Sequence, residues 1–347
     1  MTEVLLTNGK QVTINDVARR AQVSNATVSR YINKSPAVAE SKAAAIEEAI
    51  AALGFHLNRT ARVLKMQRSM QIMMVVPDIA NPFYSAAYKV LQSLAMQSGY
   101  TVVLYNTNDS ESEEYAAIEM AHGMNTDGLV FCSTYDHPHI FDALESLERP
   151  VVASNSFGRL QFDTIHSIKG QGLYVTTRYL LELGHRAVAY AGGNEKSTLN
   201  ARRLEGYLRA MDEFGLTPPP THRFHAEFNM EGGYRAAQHF LSLEKRPTAI
   251  ACANDLIALG LIQTLIGSGV RVPDDISVTG MDNIEFARLS MPPITTVTND
   301  SREFAENCLK LLFSRIDGGY TGPPREYLTS RKLIVRSSSL KCGVPVE

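Results

Sequence analysis

Residues 12–34, VTINDVARRAQVSNATVSRYINK, spell two short amphipathic helices joined by a tight link, and this pattern constrains the chain more than any other. Thr13 is placed to cap the first helix, Asp16 follows in capping-box spacing, and Ile14, Val17, Ala18 and Ala21 form one apolar stripe. Ser24 is placed to cap the second. Its Val28 and Ile32 recur on one side, leaving Asn25, Ala26, Ser29, Arg30 and Asn33 outward. Small side chains and hydrogen-bonding groups on such a face allow close approach to base edges and phosphates, as when a helix enters a DNA major groove. An ordinary surface helix pair would carry the same pattern, so the rest of the chain has to decide between the two.

Next, Ala45, Ile46, Ala49, Ile50 and Leu53 make a third helix with Gly54 just past its end, closing a small bundle over residues 1–57. Residues 58–69 differ. Asn58 can cap, Arg59, Arg62, Lys65 and Arg68 are cationic, and Val63 and Leu64 have little to bury against. This basic linker is expected to become helical only when a partner orders it. Charge divides along the same line: residues 1–68 hold ten of the 34 Lys and Arg but five of the 36 Asp and Glu, leaving 24 against 31 for the rest. A basic head attracts a polyanion, and an acidic body stays clear of it.

At 347 residues the chain has room for two or three domains. Cys132, Cys252, Cys308 and Cys342 are far apart and lack Cys-x-x-Cys spacing, which suits a reduced cytoplasmic protein. No apolar run reaches the ~20 residues of a membrane span, and MTEVLLTNGK does not read as an export signal, so no membrane partner is expected.

From residue 70 short apolar runs alternate with longer amphipathic ones. QIMMVVP, TVVLYN, DGLVFC and PVVAS read as strands with helices between, and the alternation restarts after about Gly170 with AVAYAG, TAIACA and ISVTG. TPPPTH at 217–222 reads as a loop. Two α/β lobes of parallel sheet are implied, and ligands of such sheets bind beyond the carboxyl ends of the strands.

Several motifs in order now make the chain recognisable: TINDVARRAQVSNATVSRYIN, the basic linker, PDIANPF after the first core strand, ANDLIALG, and ISVTGMDNIEF followed by PPITTV. Over nearly its whole length the chain closely resembles the lactose-repressor and galactose-repressor (LacI/GalR) family of bacterial transcription regulators. The resemblance implies an all-α helix-turn-helix headpiece, a hinge helix at 58–69, and a two-lobed, periplasmic-binding-protein-like α/β core of two doubly wound parallel sheets over 70–347. The N-lobe is expected at about 70–168 and 300–329, the C-lobe at about 169–299 and 330–347. It implies a transcriptional repressor, not an enzyme, that binds double-stranded operator DNA of palindromic sequence as a homodimer and answers to a small-molecule effector, without cofactor or metal. The tail SSSLKCGVPVE has no leucine heptads to build a tetramer.

Carried over by position, the resemblance gives DNA contact to Thr13, Ser24, Asn25, Ala26, Thr27, Ser29, Arg30 and Asn33, and to Asn58, Arg59, Leu64 and Lys65 in the linker. Leu64 falls where the family pushes a leucine into the minor groove, an apolar wedge that unstacks one base step; packing on the core is its alternative. Gln22 stands where the family often has glycine, so the link there takes a left-handed conformation at a cost or adopts another. Ala26 cannot hydrogen-bond a base but can contact a thymine methyl.

In the core the resemblance places Asp78, Phe83 of the Asn81-Pro82-Phe83 turn, Asn155, Arg203, Phe228, Asn254, Asp255 and Asp282 around the inter-lobe cleft. Carboxylates and guanidinium groups pair with vicinal hydroxyls and aromatic faces cover a pyranose, whereas a purine would want flanking aromatics and fewer carboxylates. A sugar or sugar derivative is therefore the expected effector. Each residue has a plainer use: Asn254 and Asp282 as helix caps, Arg203 as a solvated charge, Phe228 as core. Rival chemistries lack support. Glu195 spoils AGGNEKST as a phosphate loop, the GQG at 170–172 lacks a third glycine, and His137 and His139 have no nearby third ligand in sequence. A solute receptor without DNA function and a sugar-processing enzyme are the remaining alternatives.

Overall fold

A computed structural model describes residues 12–32, 37–55, 68–154, 161–168 and 170–343. Asn33, Asn58, Arg59, Leu64, Lys65 and Asn155 lie outside the described residues. The chain divides into two units, Met1–Gln67 and Arg68–Glu347.

The first unit contains α1 (Ile14–Arg20), α2 (Asn25–Ile32) and α3 (Glu40–Leu53). Asp16 closes the start of α1, its carboxylate accepting from the Thr13 amide at 2.9 Å and the Thr13 hydroxyl at 2.7 Å. Ser24 Oγ accepts from the Thr27 amide at 3.2 Å and so caps α2. The three apolar stripes meet in a core of Val17, Ala18, Ala21, Val28, Ile46, Ala49 and Phe55. Gly54, at φ 59°, ends α3, and Gln22 takes the same left-handed conformation at φ 53° between α1 and α2. The turn it makes lets the Val23 amide donate to the Ala18 carbonyl at 3.0 Å and returns Val23 to the core.

The second unit begins with β1 (Gln71–Val76), α4 (Pro82–Gln97), β2 (Thr101–Asn106), α5 (Glu111–Gly123), β3 (Gly128–Cys132), α6 (Pro138–Glu145), β4 (Val151–Ser154) and β5 (Asp163–Ser167). The chain then crosses to a second sheet through α7 (Gln171–Glu182), β6 (Val188–Gly192), α8 (Thr198–Glu213), β7 (Arg223–His225), α9 (Met230–Ser242), β8 (Ala249–Cys252), α10 (Asp255–Gly267), β9 (Ser277–Thr279), α11 (Glu285–Leu289) and β10 (Thr296–Val297). It returns through α12 (Ser301–Ile316) and β11 (Glu326–Thr329), then crosses a third time to β12 (Leu333–Ile334). The first sheet has the order β11-β5-β4-β3-β1-β2 and the second β7-β6-β8-β9, all pairs parallel, while β10 and β12 form an antiparallel pair.

Strand periodicity explains the layers. Ile72, Met74 and Val76 of β1 pack with Leu91 of α4 and Leu312 of α12, whereas Met73 and Val75 pack with Ile118 of α5 and Leu144 of α6. In the second lobe Val188, Tyr190, Ile250 and Val278 are buried with Leu180, Tyr207, Phe240 and Leu261 from the covering helices. The proline tract expected as a loop leads into a 3₁₀ turn at Pro220–His222 and the edge strand β7. Its three residues are too few for a period to show.

Two anchors hold the passages between lobes. The Thr298 amide donates to the Lys332 carbonyl at 2.9 Å and the Lys332 amide to Thr298 Oγ1 at 3.0 Å, joining the second and third crossings. Asp163, fully buried in β5, accepts from Arg315 Nε at 2.8 Å and Nη2 at 2.7 Å, and from Arg325 Nη2 at 2.6 Å and its amide at 2.8 Å. These bonds tie α12 and β11 into the first sheet. Burial alone would raise the Asp163 carboxyl, but Arg315 and Arg325 hold it below the ordinary range. Arg68, one of the cations expected in the linker, instead serves the core: it donates to Asp317 at 2.9 Å and to the Ile316 carbonyl at 2.6 Å. Among the described residues no helix is long and apolar enough to cross a membrane.

Gln22→Gly should stabilise the first unit by about 1 kcal/mol, since a side chain in left-handed backbone carries a cost that glycine lacks; headpiece amides in the full chain should then exchange about fivefold more slowly. Asp163→Asn should cost on the order of 3 kcal/mol in urea unfolding, because two guanidinium groups lose their counter-charge. The depressed carboxyl supplies stability above the ordinary value of 3.8 that is lost as pH falls through its folded value, so the difference between wild type and variant should close in acid.

Candidate functional site

The helical unit presents a compact polar face. Ser24, Asn25, Ala26 and Arg30 are exposed, Thr27 and Ser29 are half-buried beside them, and Thr13 is exposed at the start of α1. Val28 anchors this face from beneath at zero exposure. Some groups already have internal duties: the Thr13 hydroxyl closes α1, Ser24 Oγ caps α2 and lies 2.9 Å from the Thr27 hydroxyl, and Asn25 donates to Asn15 of α1. That last bond fixes the two helices relative to each other at the exposed surface.

In the larger unit the carboxyl ends of both sheets open on one cleft with two adjoining chambers. The outer, of about 260 Å³, is lined by Asp78, Asn108, Asp109 and Thr134 from the first lobe and by Glu227, Phe228, Asn229 and Asn254 from the second. The inner, of about 70 Å³, is lined by Phe83, His166, Gln171, Met281, Asp282, Asn299, Phe304 and Arg331 among others. Asn81, Tyr84, Leu199 and Arg203 belong to both walls. The lobes touch at the start of α8, where Ser197 Oγ and the Leu199 amide both donate to the Thr134 carbonyl, at 2.9 Å and 3.0 Å.

Arg203 is the hinge-pin of the lining. Its Nη1 donates to the Ala253 carbonyl at 2.9 Å, its guanidinium lies 5.0 Å from the centroid of the Phe228 ring, and its buried Nε has no partner among the described residues. Phe228 sits so close above Gly193 that a side chain there would overlap the ring. Asp282 is buried, with φ 107°, and accepts from Asn299 Nδ2 at 3.0 Å. Burial raises its carboxyl above the ordinary value, against the pull of Arg203, Asn299 and Arg331. Asp78 holds its own turn through the Ala80 amide at 2.9 Å. Phe83 forms a wall, stacked in tilted fashion on Phe304 at 5.5 Å.

Two expected ligand contacts are used otherwise. Asn254 caps α10 by accepting from the Ile257 amide at 2.8 Å and donates to the Phe228 carbonyl at 2.8 Å, so it borders the outer chamber while holding the aromatic ring in place. Asp255 lines neither chamber. It is buried behind the lining, accepting from Thr296 Oγ1 at 2.6 Å and from the Ile284 amide at 2.9 Å. Burial and the Asp282 charge push its carboxyl well up.

Sequence comparison decides the family. A model for bacterial regulatory proteins of the lacI family matches residues 13–58, and one for a periplasmic binding protein-like domain matches residues 177–339. The chain is 32% identical over 333 residues to the HTH-type transcriptional repressor PurR of Mannheimia succiniciproducens, covering 95% of this chain and 99% of the relative. The chain belongs to the lacI family. It shares 36% identity over 307 residues with PurR of Vibrio campbellii, covering 88% of this chain and 92% of the relative. Among solved structures, the lac repressor dimer bound to operator and the anti-inducer ONPF superposes with a TM-score of 0.84 at 26% identity, covering 95% of this chain and 100% of that one. The transcriptional regulator CelR in its cellobiose complex gives 0.72 at 27%, with coverage of 95% and 100%. The chain is thus a DNA-binding transcriptional repressor of the lacI family, with a helix-turn-helix region and a periplasmic-binding-protein-like core.

Several lining residues of this lacI-family core escaped the sequence reading: Tyr84, Asp109, His166, Glu227, Asn299 and Arg331. Asp109 could have been found as the Asn-Asp pair ending TVVLYNTND; Arg331 follows an edge strand and carries no local signal. Glu114 was also missed. It is 1% exposed behind Asp109 and Ser133, and burial pushes its carboxyl up to about 7. His137 and His139, read as loop residues, cap and begin α6 and lie 3.6 Å and 2.6 Å from Glu111.

Because folded Glu114 keeps its proton to about 7 while the unfolded carboxyl releases it near 4.5, the folded state binds more protons between these values and loses stability as pH rises through them. Glu114→Gln should therefore stabilise the protein at pH 8, by on the order of 3 kcal/mol at most, with the gain shrinking toward pH 5 in urea titrations.

Proposed function

We propose that this repressor binds a near-palindromic operator as a homodimer and that a polyhydroxylated small molecule, a sugar or sugar derivative, changes its grip by binding in the inter-lobe cleft. One observation carries the effector reading: Arg203, laid over Phe228, faces carboxylates from both lobes, with Asp78 and Asp109 on one side and Asp282 on the other. Acceptors opposite donors across an aromatic floor suit a ring bearing vicinal hydroxyls. A nucleobase would make less use of three carboxylates on facing walls.

The homodimer is supported by exposed apolar residues on the second lobe, Phe286 at 55%, Leu289 at 61% and Met291 at 88%, on a scale that calls for cover. The dimeric state of the operator-bound lac repressor agrees with it. Two copies of the α2 face would meet two half-sites, which is why a palindrome is expected. Ser24, Asn25, Ala26, Thr27, Ser29 and Arg30 are assigned to DNA contact, with Thr13 at the backbone. Asn33, Asn58, Arg59, Leu64 and Lys65 keep their assignment from the family resemblance, as does Asn155 in the cleft.

The test is operator affinity by fluorescence anisotropy in the presence and absence of a sugar panel, with two variants. Arg30→Ala should weaken operator binding by roughly 10- to 100-fold, the scale of one lost base or phosphate contact. Asp282→Asn, which keeps the side-chain size and tolerates the left-handed backbone, should leave operator affinity in place and remove the response to the effector. Equal operator affinity across the whole panel would eliminate the sensor role.

A further inference from the structure

Among the described residues the inner chamber has more positive than negative charge. Arg203 and Arg331 both line it, and Asp282 is the carboxylate lying between them among the described residues. The other charged groups nearby are engaged: His166 pairs with Glu326 through Nε2, Arg202 faces Glu205 and Asp136, and Glu303 accepts from the Tyr327 hydroxyl at 3.1 Å. Arg331 has little to satisfy it. Among the described residues its Nη1 reaches only the neighbouring Ser330 carbonyl at 3.4 Å, and its Nε is buried without a partner, as is Nε of Arg203. Burial pushes the Arg331 guanidinium down to about 10, the mark of a cation removed from water without full compensation. Gln171 Oε1, on the same wall, is likewise buried and unpartnered.

Resting on the reading that the cleft takes a polyhydroxylated effector, we infer that the effector is a sugar acid whose carboxylate enters the inner chamber against Arg331 and Arg203. Guanidinium edges match a planar carboxylate in a two-bond fork, and the unpaired Nε groups supply donors for it. Gln171 accepts from the adjoining hydroxyl. The smaller chamber holds the charged group, and the larger outer one holds the hydroxylated body against Asp78, Asp109 and Glu227. Arg331 lies in the third crossing and Asn299 in the second, so the carboxylate would sit where the lobes are joined.

Calorimetry on the full chain tests this with D-glucuronate, D-galacturonate and D-gluconate, the neutral parents D-glucose and D-galactose, D-glucose 6-phosphate, and hypoxanthine. At least one acid should bind about 100-fold more tightly than its neutral parent, the scale of a buried charge-assisted pair. Arg331→Gln should cut that preference to about tenfold or less. Arg331→Lys, which keeps the charge but loses the two-bond fork, should fall between wild type and Arg331→Gln, and circular dichroism of both variants should match wild type. Neutral sugar binding as tightly as its acid, or no acid binding, overturns the charged-effector inference; the former leaves the sugar reading intact. The 6-phosphate binding in place of every acid overturns the carboxylate. Hypoxanthine binding alone overturns the sugar reading together with this one. Acid binding indifferent to Arg331→Gln removes Arg331 from the site.

Discussion

Parallel strand pairing is the constraint on which the core depends. Each crossover helix returns the chain to the same edge of its sheet, so all the carboxyl ends gather there. Two such sheets, joined by three passages of chain, turn the residues after β1, β2, β3, β5, β7, β8 and β9 into one lining. The loops at that edge hold backbone that the strands do not. Asn108, Asp109, Asp282 and Asn283 are all left-handed, a conformation that short polar side chains adopt more readily than others. Polar chemistry and local strain therefore coincide at the cleft, supported on both sides by strands with almost no exposure.

The same geometry explains how a molecule in the cleft could act beyond it. Asn299 and Arg331 line the inner chamber and also belong to the second and third passages, which are hydrogen-bonded to each other through Thr298 and Lys332. Asp282 accepts from Asn299, so the charge state and company of one carboxylate bear directly on the chain that joins the lobes. A ligand shifts an equilibrium only by its difference in affinity for the two arrangements. A site built partly from the passages themselves is well placed to have such a difference, because moving the lobes moves its own walls.

Much of this architecture was legible in the sequence because long elements bury one face and repeat their period. The stripes of α1, α2 and α3, the strands IMMVV, VAYAG and AIAC, and the helices that cover them all announce themselves this way. The short edge elements did not. β7 and β9 have three residues each, and β11 shows the burial pattern of an exposed edge, with one buried residue at its end. Arg331 follows β11 and belongs to no periodic run, so the cation that most distinguishes the inner chamber was invisible until the passages were seen together. Glu114 was hidden for the opposite reason: in the acidic first turn of α5 it resembles Glu111 and Glu113, which are exposed or half-buried, and tertiary packing alone singles it out.

Asn254, Asp255 and Asp282 illustrate where residue type stops being informative. All three follow strands of the second sheet, and all three carry a side chain fit to cap a helix or to meet a hydroxyl. What separates them is the distance to the next helix. Asn254 stands at the N-cap of α10, where the Ile257 amide takes its oxygen, and Asp255 is carried by the first helical turn away from the cleft toward Thr296 and Ile284. After β9 the next helix, α11, begins only at Glu285, with Ile284 at its N-cap and no side-chain bond there. Asp282 accepts from Asn299 instead of capping that helix. Its left-handed backbone leaves the carboxylate in the cleft wall, between Arg203, Arg331 and Asn299, as a group that a ligand can still engage.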